Sequence, residues 1–324
     1  MKKIIYSLML VLVLMLTACG QKKENTKTDT NETKKESVKE ESKIDVNVTE
    51  AKETKNEDDV KTFSDKKIVA GSKTVAEYLS LFNQKLVGIA KQKHLPEIYK
   101  DVTQVGSPRK LNLEIIISLK PDLVVANETS KKDIEKTLSA QKIETFYLDG
   151  SNYNSVFENI KLVGEKLGQK EKSETIIKDL KSKEKELIEK AAPLKGKKVA
   201  MLFGTGDNFQ LMTENTYIGD LLKLIGVENI AKDSTGENNK YLPYSLENIV
   251  SANPDYILTL AHGNREQAEK IFASEFEKDL WKNLTAIKEN RLIHLDDDKY
   301  PVTGNIHVME TLEGLINLLL ENSN

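Results

Sequence analysis

The residues with the most specific chemistry in this sequence are one histidine and one arginine. His262 directly follows a predicted strand at residues 258–261, and a neutral imidazole is a good ligand for a transition metal. Arg109 lies in a predicted loop and is one of only three arginines in a lysine-rich chain. Its guanidinium offers a planar fork of donors to a carboxylate. Because ligands of open α/β sheets bind at the carboxyl ends of strands, His262 is placed to contact one.

The other three histidines are interpreted as polar loop residues without a metal: His94, His294 and His307. A site for a free divalent cation would need several histidines and carboxylates to converge, and only His262 is well placed. The sequence contains no Gly-x-Ser-x-Gly elbow, P-loop or paired-cysteine motif. The Gly-Thr-Gly fragment at residues 204–206 is too short to indicate nucleotide binding. An enzyme is therefore not predicted.

Two glutamates occupy equivalent positions in an internal repeat. Residues 113–124 recur in altered form at residues 246–257, with Leu, Glu, Ser, Pro and Asp in register. Each copy predicts a short helix with a glutamate in its first turn, Glu114 or Glu247, and then a Pro-Asp turn and an apolar strand. The helix dipole alone favours a carboxylate there. The copies are too far apart for a solenoid and indicate two similar lobes.

The pattern of elements around these residues predicts an α/β fold of two Rossmann-like lobes with a ligand cleft between them. Strands alternate with helices both before and after residues 151–194. The N-terminal lobe is predicted at residues 63–150 and the C-terminal lobe at 195–324. A single long backbone helix within residues 151–194, weakened at 164–168, is expected to brace both lobes. The loops expected to face the cleft are residues 71–74, 106–109, 205–216, 262 and 300.

The first 62 residues are predicted to lie outside the fold. Residues 1–19 are a signal peptide, with two lysines before an apolar run too short for a permanent membrane span. Cys19 ends this segment and is the only cysteine, so disulfides cannot stabilise the chain. Residues 20–62 contain no aromatic residue and predict a disordered tether with a root-mean-square span of roughly 35–40 Å.

The charge of the chain excludes one class of partner. It has 48 basic and 51 acidic residues, a net charge of −3, and no basic stripe. Nucleic acid is therefore not an expected partner. A surface adhesin or structural lipoprotein is compatible with the long tether, although nothing in the sequence demands one.

Residues 105–124 contain a pattern that carries a family resemblance, Val-Gly-x5-Asn-Leu-Glu-x-Ile-x2-Leu-Lys-Pro-Asp-Leu-Val. With this pattern and its braced two-lobe order, the chain from about residue 65 onward resembles the substrate-binding lipoproteins of ABC importers. The resemblance is to the helical-backbone class, which carries haem, ferric siderophores and cobalamin. The Leu-Thr-Ala-Cys segment at residues 16–19 resembles the lipobox of bacterial lipoproteins.

This resemblance implies a monomeric, non-enzymatic receptor on the extracytoplasmic face of the cell membrane. Cleavage would precede Cys19, and its acylation, including a palmitate, would anchor the protein in the lipid membrane. The protein partner would be an ABC permease dimer with its ATPase. Glu114 and Glu247, one on each lobe, would pair with arginines of the two permease subunits, which would fix the register of docking rather than supply tight affinity.

Within this class, the chain is most similar to the haem receptors of Gram-positive bacteria. The segments that carry this likeness are residues 213–220, 261–263, 272–276, 281–282 and 303–305. In those receptors the histidine of a His-Gly pair is an axial ligand of the haem iron, and that position corresponds to His262. The resemblance therefore implies haem as the transported ligand, with a ferric siderophore or a corrinoid as the alternative.

The chain departs from this pattern on the opposite lobe. The Gram-positive receptors have a methionine ligand where this chain has Arg109. The haem binders of Gram-negative bacteria have a tyrosine ligand where this chain has Ser107, and an arginine that matches Arg109. Arg109 would suit a haem propionate as well as a carboxylate or catecholate oxygen of a siderophore.

The second ligand of the iron is thus open. Water could complete the coordination, or a ligand could come from another cleft loop, with Tyr300 or Met212 as candidates. Tyr217 is either a packing residue at a helix start or a further ligand contact, since a buried tyrosine also needs a partner for its hydroxyl.

Overall fold

The computed structural model describes residues 65–206 and 208–323. The predicted signal peptide, Cys19 and the predicted tether lie outside the described residues. Within the described part, no helix is both long and apolar enough to cross a membrane.

The N-terminal lobe is a parallel sheet covered by helices. Its elements are β1 (Ile68–Ala70), α1 (Lys73–Ser80), β2 (Leu86–Ile89), β3 (Gly106–Ser107), β4 (Lys110–Leu111), α2 (Leu113–Ser118), β5 (Leu123–Asn127), α3 (Lys131–Ala140) and β6 (Glu144–Leu148). The sheet has the order β2-β1-β5-β6, with every neighbouring pair parallel. The apolar runs in β1 and β5 are buried because helices cover both faces of this sheet.

The C-terminal lobe repeats this plan with a mixed sheet. Its elements are β7 (Lys198–Gly204), β8 (Phe209–Met212), α6 (Tyr217–Leu224), β9 (Glu228–Asn229), β10 (Tyr241–Leu242), α7 (Leu246–Ala252), β11 (Tyr256–Ala261), α8 (Arg265–Phe276), α9 (Thr285–Lys288), β12 (Leu292–Leu295) and α10 (Val308–Glu321). The order is β10-β8-β7-β11-β12, and β9 pairs with β7. The strands β7, β11 and β12 are parallel, whereas β8 and β10 are antiparallel additions at one edge.

The connection between the lobes is two helices, not the single long helix expected from the sequence. They are α4 (Tyr153–Lys166) and α5 (Lys170–Lys190), which pack against each other. The break falls in the predicted weak region, where Gly168 has a positive φ of 69° that a helix cannot contain.

The helix α5 and the residue before it contact both lobes. At its start, Gln169 Nε2 donates to the carbonyl of Phe82 in the N-terminal lobe, at 3.2 Å. Further along it packs against α10, and Lys183 and Lys190 lie 3.7 and 3.8 Å from the carboxylate of Glu313. With 21 residues, the helix is about 32 Å long, which is enough to reach from one lobe to the other.

The internal repeat of the sequence is a repeat of structure. In each copy, the aspartate of the Pro-Asp pair ties the start of the next strand to the first strand of its lobe. Asp122 Oδ2 accepts from the backbone N–H of Lys67, and Asp255 Oδ2 accepts from that of Lys198, both at 2.8 Å. The same carboxylate therefore sets the same strand register in both lobes.

The repeat helices also begin and end alike. The side chains of Asn112 and Ser245 are the N-caps of α2 and α7 and accept from the third residue of each helix. Beyond the helix, Lys120 and Asn253 have φ values of 49° and 42°, so the chain reverses before the proline. These shared caps explain why two short helices form at equivalent places.

Candidate ligand-binding cleft

Loops from both lobes line one cleft with a volume of about 720 Å³. This volume lies in the range of sites that hold a cofactor-sized ligand. The lining residues are Ser72, Thr74, Gln92, Ser107, Pro108, Arg109, Asn127, Thr129, Ser130 and Asp133 from the N-terminal lobe, and His262, Gly263, Val302 and Thr303 from the C-terminal lobe. Four of the five loops expected at the cleft contribute to it: those at residues 71–74, 106–109 and 262, and the loop at Tyr300 through Val302 and Thr303.

His262 is held at the carboxyl end of β11, a central strand that pairs with β7 and β12. Its backbone N–H donates to the carbonyl of Gly204 at 3.0 Å, which extends the pairing with β7 by one residue. The imidazole lies 3.0 Å from Asp297 through Nδ1, and the side chain is 37% exposed. The ring is therefore fixed at one nitrogen and open to the cleft.

The partner of His262 decides which nitrogen can bind a metal. The ionised carboxylate of Asp297 only accepts hydrogen bonds, so Nδ1 of the neutral imidazole must carry the proton and donate it. The lone pair then resides on Nε2, the tautomer found in histidines that ligate metals. Arg265 lies 3.7 Å from the other oxygen of Asp297 and 3.2 Å from Asp296, so the carboxylate is itself held in place.

Asp297 is a residue that the sequence interpretation missed. A signal for it was present in the sequence, because residues 296–298 are three consecutive aspartates that directly follow the last strand. That strand, β12, is the parallel neighbour of β11, so residues just after the two strands meet at one edge of the sheet. What the sequence could not give was the adjacency of these two strands.

Arg109 reaches the cleft from a tight hairpin of the N-terminal lobe. The strands β3 and β4 pair Ser107 with Lys110, which leaves Pro108 and Arg109 as the two residues at the tip. Gly106 has a φ of 92°, and a Cβ there would lie 2.6 Å from the carbonyl oxygen of Lys110, so only glycine fits. The hairpin thus presents an exposed guanidinium to the cleft.

The rest of the N-terminal wall is polar. The hydroxyl of Ser72 is the N-cap of α1 and donates to Asn127 at 3.1 Å, and the side chain of Gln92 accepts from the N–H of Lys73. Hydroxyl and amide groups of this kind, together with Arg109 and Asp133, form most of the wall. The apolar side chains of the lining are those of Pro108 and Val302.

Three further candidates lie away from the cleft. For Met212 and Tyr300 this corrects the expectation of a ligand contact, and for Tyr217 it fits the alternative of a packing residue. Met212 is 1% exposed and packs in the core, because helices and loops cover both faces of the sheet that contains β8. Tyr217 is also 1% exposed and packs beside Gly304 as a residue of the helix start. Tyr300 is half-buried over α10, facing Gly314, and lines a separate hollow. None of these side chains reaches the lining.

The other histidines do not line the cleft either. His94 is exposed in a loop, Nδ1 of His294 lies 2.6 Å from the hydroxyl of Thr259, and His307 lies 3.8 Å from Glu77. Within residues 65–206 and 208–323, no group of three or more histidine, cysteine or acidic side chains could hold a metal ion. A metal at His262 would therefore have to bring other ligands with it.

Glu114 and Glu247 occupy matching surface positions. Each lies in the first turn of its repeat helix, and each is exposed. Neither takes part in an ion pair within the described residues. The duplicated helices thus present one exposed carboxylate on each lobe, and that of Glu247 accepts a hydrogen bond from the Ser245 hydroxyl at 3.4 Å.

The two-lobe α/β architecture and the cleft between the lobes define a receptor for a solute. Residues 68–299 match the periplasmic binding protein family, and the chain belongs to this family. It is a non-enzymatic, extracytoplasmic substrate-binding protein of an ABC importer, of the class that includes haem and siderophore receptors. The family predicted from residues 105–124 is thereby confirmed.

Among known proteins, the chain is 30% identical to the high-affinity heme uptake system protein IsdE of Staphylococcus aureus over 228 residues, 70% of this chain and 77% of that protein. Its fold is similar to an ABC transporter substrate-binding protein of Listeria monocytogenes, with a TM-score of 0.70 and 35% identity, covering 78% of this chain and 98% of the other. The fold is also similar to that of S. aureus IsdE complexed with heme, with a TM-score of 0.69 and 29% identity, covering 78% of this chain and 98% of the other.

Proposed function

We propose that this receptor captures haem in the cleft between its lobes and binds the iron through Nε2 of His262. The observation that carries the proposal is the hydrogen bond from Nδ1 to Asp297, which fixes the metal-binding tautomer at the cleft surface. The similarity to IsdE, whose structure is known with heme, supports the same ligand.

A titration with hemin tests this function. Purified receptor is expected to shift the Soret absorption band saturably, with one hemin bound to each chain, because His262 becomes an axial ligand of the iron. The matched blank is the receptor unfolded in urea, which has no cleft. Absence of a saturable shift would contradict the proposal.

A ferric siderophore is the second candidate, and the hydrogen-bonding groups of the N-terminal wall favour it. Hydroxyl, amide and guanidinium groups on the N-terminal wall could bind the oxygen atoms of such a chelate. Calorimetry with ferric catecholate and ferric carboxylate siderophores distinguishes the two ligands. Binding of one of these without any binding of hemin would replace the first candidate with the second.

We also propose that Glu114 and Glu247 dock the loaded receptor onto a dimeric permease through arginines. Their exposure and their matching positions on the two lobes support this role. The double substitution to alanine is expected to leave hemin affinity intact and to abolish hemin uptake by cells. The matched control is the double substitution of the exposed Glu128 and Glu310 to alanine. Normal hemin uptake in the variant that lacks Glu114 and Glu247 would contradict docking.

The membrane anchor is a further part of the proposal. Acylation of Cys19 would hold the receptor beside the permease, and the segment that ends at this only cysteine supports it. Cys19→Ser is expected to remove lipid labelling with radioactive palmitate. Labelling that persists in this variant would exclude Cys19 as the anchor.

A further inference from the structure

The two walls of the cleft offer different groups to a haem iron. The C-terminal wall presents Nε2 of His262. Among the described residues that line the cleft, His262 is the only histidine, and none is a methionine, tyrosine or cysteine. The groups that bind haem iron most strongly in proteins are therefore confined to one side.

Two charged side chains lie on the N-terminal wall instead. Arg109 is exposed at the tip of its hairpin, and within the described part of the chain its guanidinium has no hydrogen bond or ion pair. Asp133 lies in the first turn of α3 and is likewise exposed without an ion pair among these residues. An unpaired guanidinium thus borders the cleft from the lobe opposite His262.

We propose that ferric haem bound by His262 keeps its sixth coordination position open toward the N-terminal wall, where a small anion binds the iron and accepts a hydrogen bond from Arg109. This inference rests on the proposed haem function. The anion replaces a water molecule on the iron, so no electron is transferred. A guanidinium stabilises such a ligand through charge-assisted hydrogen bonds, whereas the carboxylate of Asp133 repels it.

An open sixth position has a consequence for delivery. Only one bond between protein and iron, that of His262, then has to break when the haem moves to the permease. The anion or water on the other side exchanges with solvent, so the N-terminal lobe holds the haem iron through no coordinate bond of its own. Arg109 thereby has a role that a methionine at the same place could not have.

Fluoride is a suitable probe, because it is a small anion that coordinates ferric iron. Sodium fluoride added to the hemin-loaded receptor is expected to change the absorption spectrum saturably. Arg109→Leu is expected to weaken fluoride binding by roughly 10- to 100-fold, the effect of losing a hydrogen bond to a charged group. Arg109→Lys, which keeps the charge, is expected to lose less. Asp133→Asn is expected to strengthen fluoride binding.

Lys110→Leu is the matched control. It removes a positive charge from the same hairpin, one residue further on, but Lys110 does not line the cleft. Its fluoride affinity is expected to equal that of the unchanged receptor.

Three results would overturn the inference. The first is a low-spin hemin complex that does not respond to fluoride, because a protein ligand would then fill the sixth position. The second is equal fluoride affinity with and without Arg109. The third is an Arg109→Leu variant that loses hemin affinity but keeps its fluoride affinity, because the guanidinium would then bind a haem propionate rather than the anion. A receptor that fails to bind hemin at all overturns the proposed function, and this is seen before any fluoride is added.

Discussion

At the scale of single residues, the pairing of His262 with Asp297 turns a loop histidine into an oriented ligand. A free imidazole exchanges between two tautomers and rotates about its side-chain bonds. The carboxylate 3.0 Å from Nδ1 removes both freedoms and makes Nε2 a stronger electron donor. The contact with Arg265 holds the carboxylate in turn. The role of His262 thus depends on residues that do not touch the ligand.

Asp297→Asn tests this dependence. The substitution keeps the size of the side chain and removes its charge, so hemin affinity is expected to fall by roughly 10- to 100-fold. Hemin titrations followed at the Soret band measure it. Asp298→Asn is the control, since this neighbouring aspartate does not contact His262. Equal affinities in the two variants would show that the pairing does not matter.

Single residues also mark the limit of prediction from the sequence. His262 and Arg109 could be assigned to the cleft because strand ends and tight loops can be located from local patterns. Met212 was misplaced because both faces of its strand are covered, so a strand position does not decide what a side chain faces. Asp297 was missed because its role depends on the order of strands in the sheet.

At the scale of elements, the sequence predicted the alternation of strands and helices in two lobes, because these elements are short apolar runs bounded by caps and turns. The repeat was predictable for the same reason, since the aspartates that tie strand to strand recur with it. The antiparallel strands β8 and β10 and the hairpin of β3 and β4 were not predicted. The strands β3, β4 and β10 have only 2 residues each, too few for an alternating apolar pattern to mark them in the sequence.

The hairpin that carries Arg109 depends on Gly106. Gly106→Ala combines a positive φ with a Cβ 2.6 Å from a carbonyl oxygen, so the free energy of unfolding in urea is expected to fall by about 1–3 kcal/mol. Gly196→Ala is the control, because Gly196 has a φ of 79° but no atom near the added Cβ. It is expected to cost about 1 kcal/mol. Equal costs would mean that the hairpin adjusts to the added methyl group.

At the scale of the whole molecule, the two lobes meet at a buried carboxylate. Glu77 of α1 is 4% exposed, and its Oε1 lies 3.5 Å from Lys73 and 3.8 Å from His307 of the C-terminal lobe. Its Oε2 has no hydrogen-bond partner among the described residues. Such a group favours its neutral form, so the contact between the lobes depends on pH.

Burial raises the pKa of Glu77 above its ordinary value of 4.5, because desolvation outweighs the attraction of Lys73 and His307. The folded state then holds this proton more tightly than the unfolded chain. The stability from Glu77 is present below the unfolded pKa and is lost as the pH rises through the folded pKa. Glu77→Gln, which stays neutral, is therefore expected to have a higher Tm than the unchanged protein near pH 7.

Thermal unfolding of the ligand-free protein measures this difference. The gain from Glu77→Gln is expected to shrink as the pH falls toward 4, where Glu77 is protonated in both states. Glu310→Gln is the control, because Glu310 is exposed and also lies near His307, at 3.7 Å. A gain from Glu77→Gln that is independent of pH would contradict the account.

The hemin affinity of His262→Ala, measured beside that of His294→Ala, tests the central claim most directly. Both substitutions remove an imidazole from the same edge of the sheet. His262 follows β11 and His294 lies in its parallel neighbour β12, but only His262 lines the cleft. We expect His262→Ala to lose roughly 100-fold or more in affinity and to change the spectrum of the iron, whereas His294→Ala binds hemin as the unchanged receptor does. An unchanged affinity and spectrum in His262→Ala would contradict the assignment of His262 as the iron ligand.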